Sequence, residues 1–155
     1  MDDPLKPRYQ AVNFHFKVHF DFDSSDSSND ILFQSVTGLD STLETETVKE
    51  GGENRFTHVV PVRRKYGPLV LKRGLLGVKQ STLTSKLKAA FENDTFQPFS
   101  LVTIHLLNDR HDTLMFWSAN NVWPLSWKLG ELNAMQGEVL IETLELNYNT
   151  LILNS

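Results

Sequence analysis

The sequence predicts a mainly β fold: two antiparallel sheets forming a small barrel or sandwich, with one packed α-helix and a long projecting hairpin. Three observations predict it. Residues 14–22 alternate apolar and polar side chains with a period of two. Further short runs with strand chemistry recur along the chain, separated by turn residues. Only residues 82–92 carry helical spacing.

Residues 1–13 read as an extended arm, with Pro4 and Pro7 removing backbone donors. In the first strand Phe14, Phe16, Val18, Phe20 and Phe22 point one way, while His15, Lys17, His19 and Asp21 point the other. Residues 23–30 are Ser, Asp and Asn only; they cannot pack and read as a flexible loop. A short strand follows at 31–36, then a turn at Gly38 and Asp40.

Residues 41–50 are rich in Thr, which favours a strand, yet neither face is apolar enough to lie in a core. Gly51 and Gly52, with Glu53 and Asn54, form a tip, and residues 56–62 return. This hairpin projects, and its edges are free unless another chain covers them. The next strand is 69–73, ended by Gly74. A helix follows over 82–92, capped by Ser81 or Thr82, with Leu83, Leu87, Ala90 and Phe91 at its spacing. Residues 101–107 and 113–119 pair across the turn 108–112. The segment around Trp123, Pro124 and Trp127 reads as irregular or as short strand. A long last strand covers 138–148 and an apolar tail covers 151–153.

The chain has 155 residues, which fits a single domain spanning 1–155. Hydrophobic residues are 40% and charged residues 22%, inside the globular range. A net charge of −4 argues against a protein built chiefly to grip nucleic acid. With no cysteine, disulfides and thiolate metal sites are excluded. No segment has the form of a signal peptide or a membrane-spanning helix, so synthesis and assembly in the cytoplasm are expected.

The search for chemistry returns nothing. His15 and His19 share a strand face but lie about 13 Å apart, too far for one ion. His105, Asp109, His111 and Asp112 surround a hairpin turn, where turn chemistry accounts for them. Glu44 and Glu46 lie about 7 Å apart on one strand, whereas paired catalytic carboxylates come from separate elements around a cleft. No Gly-x-Ser-x-Gly elbow is present, and the glycines at 74 and 77 lack P-loop spacing. No enzyme, cofactor or metal is expected. The basic run Arg63, Arg64 and Lys65, with Lys72 and Arg73, reads as a solvated face or as salt-bridge partners for a neighbouring subunit. Glu44, Glu46, Glu50 and Glu53 would be the acidic partners. What the fold leaves over is a hairpin with open edges, which a protein uses by adding strands to a partner's sheet.

At this point a family resemblance enters. Segments 14–18, 36–40, 44–54, 65–74, 121–124 and 142–146 resemble, in order and spacing, the tail tube proteins of contractile phages and of phage-like extracellular injection systems. The most specific pieces are Thr37-Gly38-Leu39-Asp40, Glu50-Gly51-Gly52 and Lys72-Arg73-Gly74. The resemblance implies a fold shared with the haemolysin-coregulated protein of type VI secretion. It also implies copies of the chain joined into rings, usually hexamers, stacked as a tube inside a contractile sheath. Expected partners are the chain itself, sheath subunits, baseplate or terminator and cap tube proteins, and DNA or protein cargo in the lumen, with no membrane anchor. The expected contact segment comprises Glu44, Glu46, Glu50, Gly51, Gly52, Glu53, Asn54, Arg63, Arg64 and Lys65. Two features depart from the family: the long 23–30 loop, and Val62 where many relatives carry Gly after the proline. They keep open a tube-initiating ring on the baseplate. A secreted ring-shaped carrier is a further alternative.

Overall fold

A computed structural model describes residues 15–21, 33–48, 51–52, 58–95, 97–135 and 137–155. Its elements are β1 (Phe16–Phe20), β2 (Ser35–Thr37), β3 (Ser41–Val48), β4 (His58–Tyr66), β5 (Leu69–Gly74), α1 (Thr82–Glu92), β6 (Phe99–Leu107), β7 (Thr113–Leu129), β8 (Ile141–Asn147) and β9 (Thr150–Asn154). The expected loop at 23–30 and arm at 1–13 lie outside the described residues.

Seven strands form one hydrogen-bonded path in the order β1-β6-β7-β8-β5-β2, with β9 also pairing β7. All pairings are antiparallel. The long strand β7 divides this path. Its first part pairs β6 and β9, and its last part pairs β8. One buried cluster draws on both halves, joining Val18, Phe20, Val102, Ile104 and Ala119 to Leu69, Leu71, Leu144 and Leu146, with Leu83 and Leu87 of α1. The path therefore folds over on itself as a sandwich. It does not close: β1 and β2, its two ends, pair with β6 and β5 alone among the described residues. Of the two expected forms, sandwich and barrel, the first is the one adopted.

The alternation in β1 has the predicted sense, with Val18 and Phe20 buried and His19 exposed. The helix occupies the predicted span, and Ser81 caps it by accepting a hydrogen bond from Thr84 N at 3.1 Å. Phe91 differs: it stays 45% exposed and stacks on Trp127 with 6.5 Å between ring centroids. The segment around Trp123, Pro124 and Trp127, read as irregular or as short strand, continues the long strand β7. Asn121 takes a left-handed φ of 52°, which Asn tolerates, and the register shifts between Pro124 and Ser126. Those residues look like breakers; here they turn the strand from one half of the sandwich to the other. Gly38 marks the predicted turn, at φ 90°, where a Cβ would run into the Pro68 carbonyl.

A buried polar network ties α1 to the sheet. Arg73 on β5 and Glu142 on β8 face each other in register, 2% and 3% exposed, and form an ion pair. Arg73 also donates to Ser81 Oγ at 2.9 Å and Thr84 Oγ1 at 3.0 Å, and its guanidinium lies 5.2 Å from the Phe33 ring centroid. Trp127 Nε1 donates to the other Glu142 oxygen at 2.8 Å. The sequence reading placed Arg73 in a solvated basic cluster. That is corrected: the side chain is internal, because Glu142 neutralises it and two hydroxyls at the helix foot accept from its Nη2. Tyr148 provides a second tie. Its hydroxyl donates to the Gly67 carbonyl at 2.9 Å, and burial, with the Asp40 charge and Tyr66 adding to it, pushes its pKa up to about 12.

Candidate assembly interface

The hairpin β3–β4 is a separate two-stranded sheet, and it has no more than marginal contact with any other strand or with α1. Its residues are exposed on both faces, apart from Glu44 and Tyr66, which are half-buried. Threonines and β-branched valines keep it extended without a core beneath it. At its tip Gly52 has φ 111°, a conformation that suits glycine.

β4 runs to Tyr66, four residues past the expected end, and so takes in Arg63, Arg64 and Lys65. A charged run reads as the end of a strand only where one face must be buried; neither face is buried here. The register places Arg63 opposite Glu44, Arg64 opposite Leu43 and Lys65 opposite Thr42, then shifts so that Pro61 meets Thr45 and Val60 meets Glu46. Val62 is the extra residue of this bulge, without a positive φ, which explains how a β-branched residue stands there.

The bulge decides which side chains share a face. Arg63 and Lys65 lie on the face of Glu44 and Glu46, and they join Val60 there rather than Val59. Glu44 Oε2 accepts from Arg63 Nε at 3.0 Å, and its Oε1 lies 3.8 Å from Lys65 Nζ. Within one chain, therefore, Glu44 already has two cationic partners. Of the other predicted contact residues, Gly51 and Gly52 sit at the exposed tip, and Glu46 and Arg64 are exposed on opposite faces. Glu50, Glu53 and Asn54 lie outside the described residues. What the sequence reading missed is the apolar content of the hairpin: Leu43 is 61%, Val59 60% and Val62 57% exposed, with Val48 and Val60 also open. The signal was present, in valines placed on a strand that has no core to face.

The other open features are strand edges. Beside them lies a groove of about 390 Å³ lined by Phe16 of β1, Val36 of β2, Leu39, Ile104 and Leu106 of β6 and Trp117 of β7, with Gln34 and Ser35. All six apolar side chains except Ile104 are only half-buried.

No group of three or more His, Asp or Glu side chains among the described residues is placed to hold a metal. The histidines take other partners: His15 Nε2 and His111 Nδ1 are 2.9 Å apart, and His105 faces Thr113. Partial burial, and after it the charges of Lys17 and His19, hold His105 below the usual histidine pKa. No helix among the described residues is long and apolar enough to cross a membrane.

The comparisons with known proteins agree with this geometry. The family model described as T4-like virus tail tube protein gp19 matches residues 12–152. A chain in the structure of the anti-feeding prophage baseplate, determined with 6-fold symmetry, is 32% identical, with a TM-score of 0.79 over 94% of this chain and 95% of that one. A chain of an extracellular contractile injection system, the PVC sheath-tube complex in its extended state, is 20% identical, with a TM-score of 0.76 over 96% and 93%. An Hcp protein shares the fold at 11% identity and a TM-score of 0.58, over 89% and 90%. No curated protein matches by sequence. The class is thus that of structural tube proteins of contractile injection systems. Within it, the chain belongs to the T4-like virus tail tube protein gp19 family.

Proposed function

We propose that copies of this chain close into hexameric rings that stack coaxially as the inner tube of a contractile particle, and that the work is done by assembly, not by a catalytic pocket. The observation that carries this reading is the β3–β4 hairpin, standing off the sandwich with both faces wet in a member of a tail tube family. A head-to-tail contact between unlike surfaces generates rings when its rotation closes. The sixfold symmetry of the related baseplate supports the number six. The contact segment takes in Glu44, Glu46, Glu50, Gly51, Gly52, Glu53, Asn54, Arg63, Arg64 and Lys65. A contractile sheath surrounds the tube, baseplate and cap proteins bound its ends, and the lumen conducts DNA or a protein cargo. Synthesis and assembly take place in the cytoplasm.

A second reading has its own support: this chain forms the first ring on the baseplate. Identity is 32% to the baseplate chain and 20% to the sheath-tube chain. Electron microscopy of the purified protein tests both. Stacked rings of uniform bore fit a main-tube subunit, and rings that elongate only on adding the main tube protein fit an initiator. A protein that stays a lone particle at high concentration overturns both. Deleting residues 51–54 should leave a folded monomer that builds no tube.

A further inference from the structure

His15 and His111 are 96 residues apart in sequence, yet the backbone holds both at one end of the sandwich. His15 stands one residue before β1, and its carbonyl accepts from Leu107 N at 2.9 Å. His111 lies in the β6–β7 turn at φ 66°, a left-handed conformation that costs energy for a residue with a Cβ. Asn108 holds the turn in that shape: its carbonyl accepts from His111 N at 3.0 Å, and its Oδ1 accepts from Arg110 N at 2.8 Å and Asp112 N at 2.9 Å. The two rings stand edge to face, with 89° between their planes and His15 Nε2 2.9 Å from His111 Nδ1. His111 is exposed and His15 half-buried, so the pair opens to solvent. A metal-bound imidazole nitrogen sits about 2.0–2.1 Å from its ion, so two such nitrogens are about 2.9 Å apart at a right angle and about 3.4 Å apart at the tetrahedral angle. The separation here is that of neighbouring ligands in a tetragonal shell, the geometry of copper(II) and nickel(II). Asp109 and Asp112 bring two negative charges to the turn against one positive charge from Arg110. Lys17, the cation on β1, stands opposite His105 and not His111.

We propose that His15 Nε2 and His111 Nδ1 form a two-nitrogen site for a divalent late transition ion, copper or nickel before zinc, with water completing the shell. Among the described residues no third His, Asp or Glu joins them, and solvent reaches the pair. A proton between the two nitrogens makes the same contact as a hydrogen bond; the ion takes the proton's place, and both rings bind it as neutral imidazoles. The neighbouring histidines do not share the site: His105 stacks on Phe116, and His19 lies about 13 Å from His15 along the strand. The ion would cross-link the outermost strand to a turn. Strand β1 pairs β6 alone among the described residues, so a ligand on each side adds a tie where the sheet ends. The site belongs to the single folded chain and rests on neither ring nor tube.

Copper(II), nickel(II) and zinc(II), each titrated by calorimetry into the full chain after dialysis against a chelator, test this. The chain has no cysteine, so no thiolate competes for the ion. One ion per chain should bind, copper most tightly, and electron paramagnetic resonance of the copper form should show splitting from two imidazole nitrogens. His111→Asn keeps a residue that tolerates the left-handed turn, and His15→Gln leaves the turn untouched. Each should weaken copper binding at least about tenfold, the loss that removing even an outer-shell partner can bring. His19→Gln should leave it within about twofold, because that ring lies about 13 Å away. Copper should also raise the thermal unfolding midpoint of the parent chain and not that of the two site variants, whose folding circular dichroism checks. Absence of a saturable copper equivalent overturns the proposal. A copper spectrum with one nitrogen, or unchanged affinity in His111→Asn or His15→Gln, places the ion elsewhere and overturns it too. Zinc binding more tightly than copper overturns the tetragonal geometry. Ring formation and tube growth enter none of these readouts, so the tube reading and this site stand or fall separately.

Discussion

Two ion pairs in this molecule bring an arginine to a glutamate across neighbouring strands, and they do opposite things. Arg73 and Glu142 lie inside the sandwich at the foot of α1, while Arg63 and Glu44 lie on the projecting hairpin. The inner pair is almost wholly dry; two hydroxyls accept from Arg73 and an indole donates to Glu142. Neither charge can regain water if its partner is lost, so the pair fixes where the helix sits. The outer pair stays wetted, and it contributes little to stability. Burial, not chemical identity, sets the role.

The largest expected effect is therefore at the inner pair. Arg73→Ala leaves Glu142 buried without its cation and should cost about 3–5 kcal/mol in denaturant unfolding. The double change Arg73→Met with Glu142→Leu should recover most of that loss; if it does not, the pair stabilises the fold beyond avoiding an unpaired charge. Ser81→Ala removes both a cap and an acceptor for Arg73 and should cost about 1–2 kcal/mol. Next comes Tyr148. Its pKa is raised from 10.0 to about 12, so the folded state holds the proton more tightly than the unfolded chain. Its stabilisation is complete below pH 10 and is lost as pH rises toward 12. Unfolding followed across that window should show the slope, and Tyr148→Phe should flatten it. The smallest effect belongs to the hairpin: Glu44→Gln should change monomer stability by less than about 1 kcal/mol. A larger value there would erase the contrast between the two pairs.

Much of this was legible in the sequence where chemistry is local. Alternation marked β1, the Ser81 cap and the 3.6 period marked α1, and glycines marked the turns at Gly38 and Gly52. What escaped was non-local. Lys72-Arg73 reads as a wet strand end until Glu142, 69 residues away, is brought opposite it. The segment around Trp123 and Pro124 reads as irregular or as short strand, and only the strands paired on either side show that one long β7 passes through it. In the hairpin, the projecting shape followed from its lack of an apolar face. The pairing of Glu44 with Arg63 and Lys65 followed from a bulge at Val62, and one residue of register was enough to reassign every facing partner beyond it.

The seventeen-residue strand β7 has a mechanical consequence. Because it is laced to β6 and β9 at one end and to β8 at the other, a force along it strains many hydrogen bonds in parallel rather than peeling them one at a time. The two halves of the sandwich must then yield together or not at all, so β7 acts as a rib that makes them one mechanical unit.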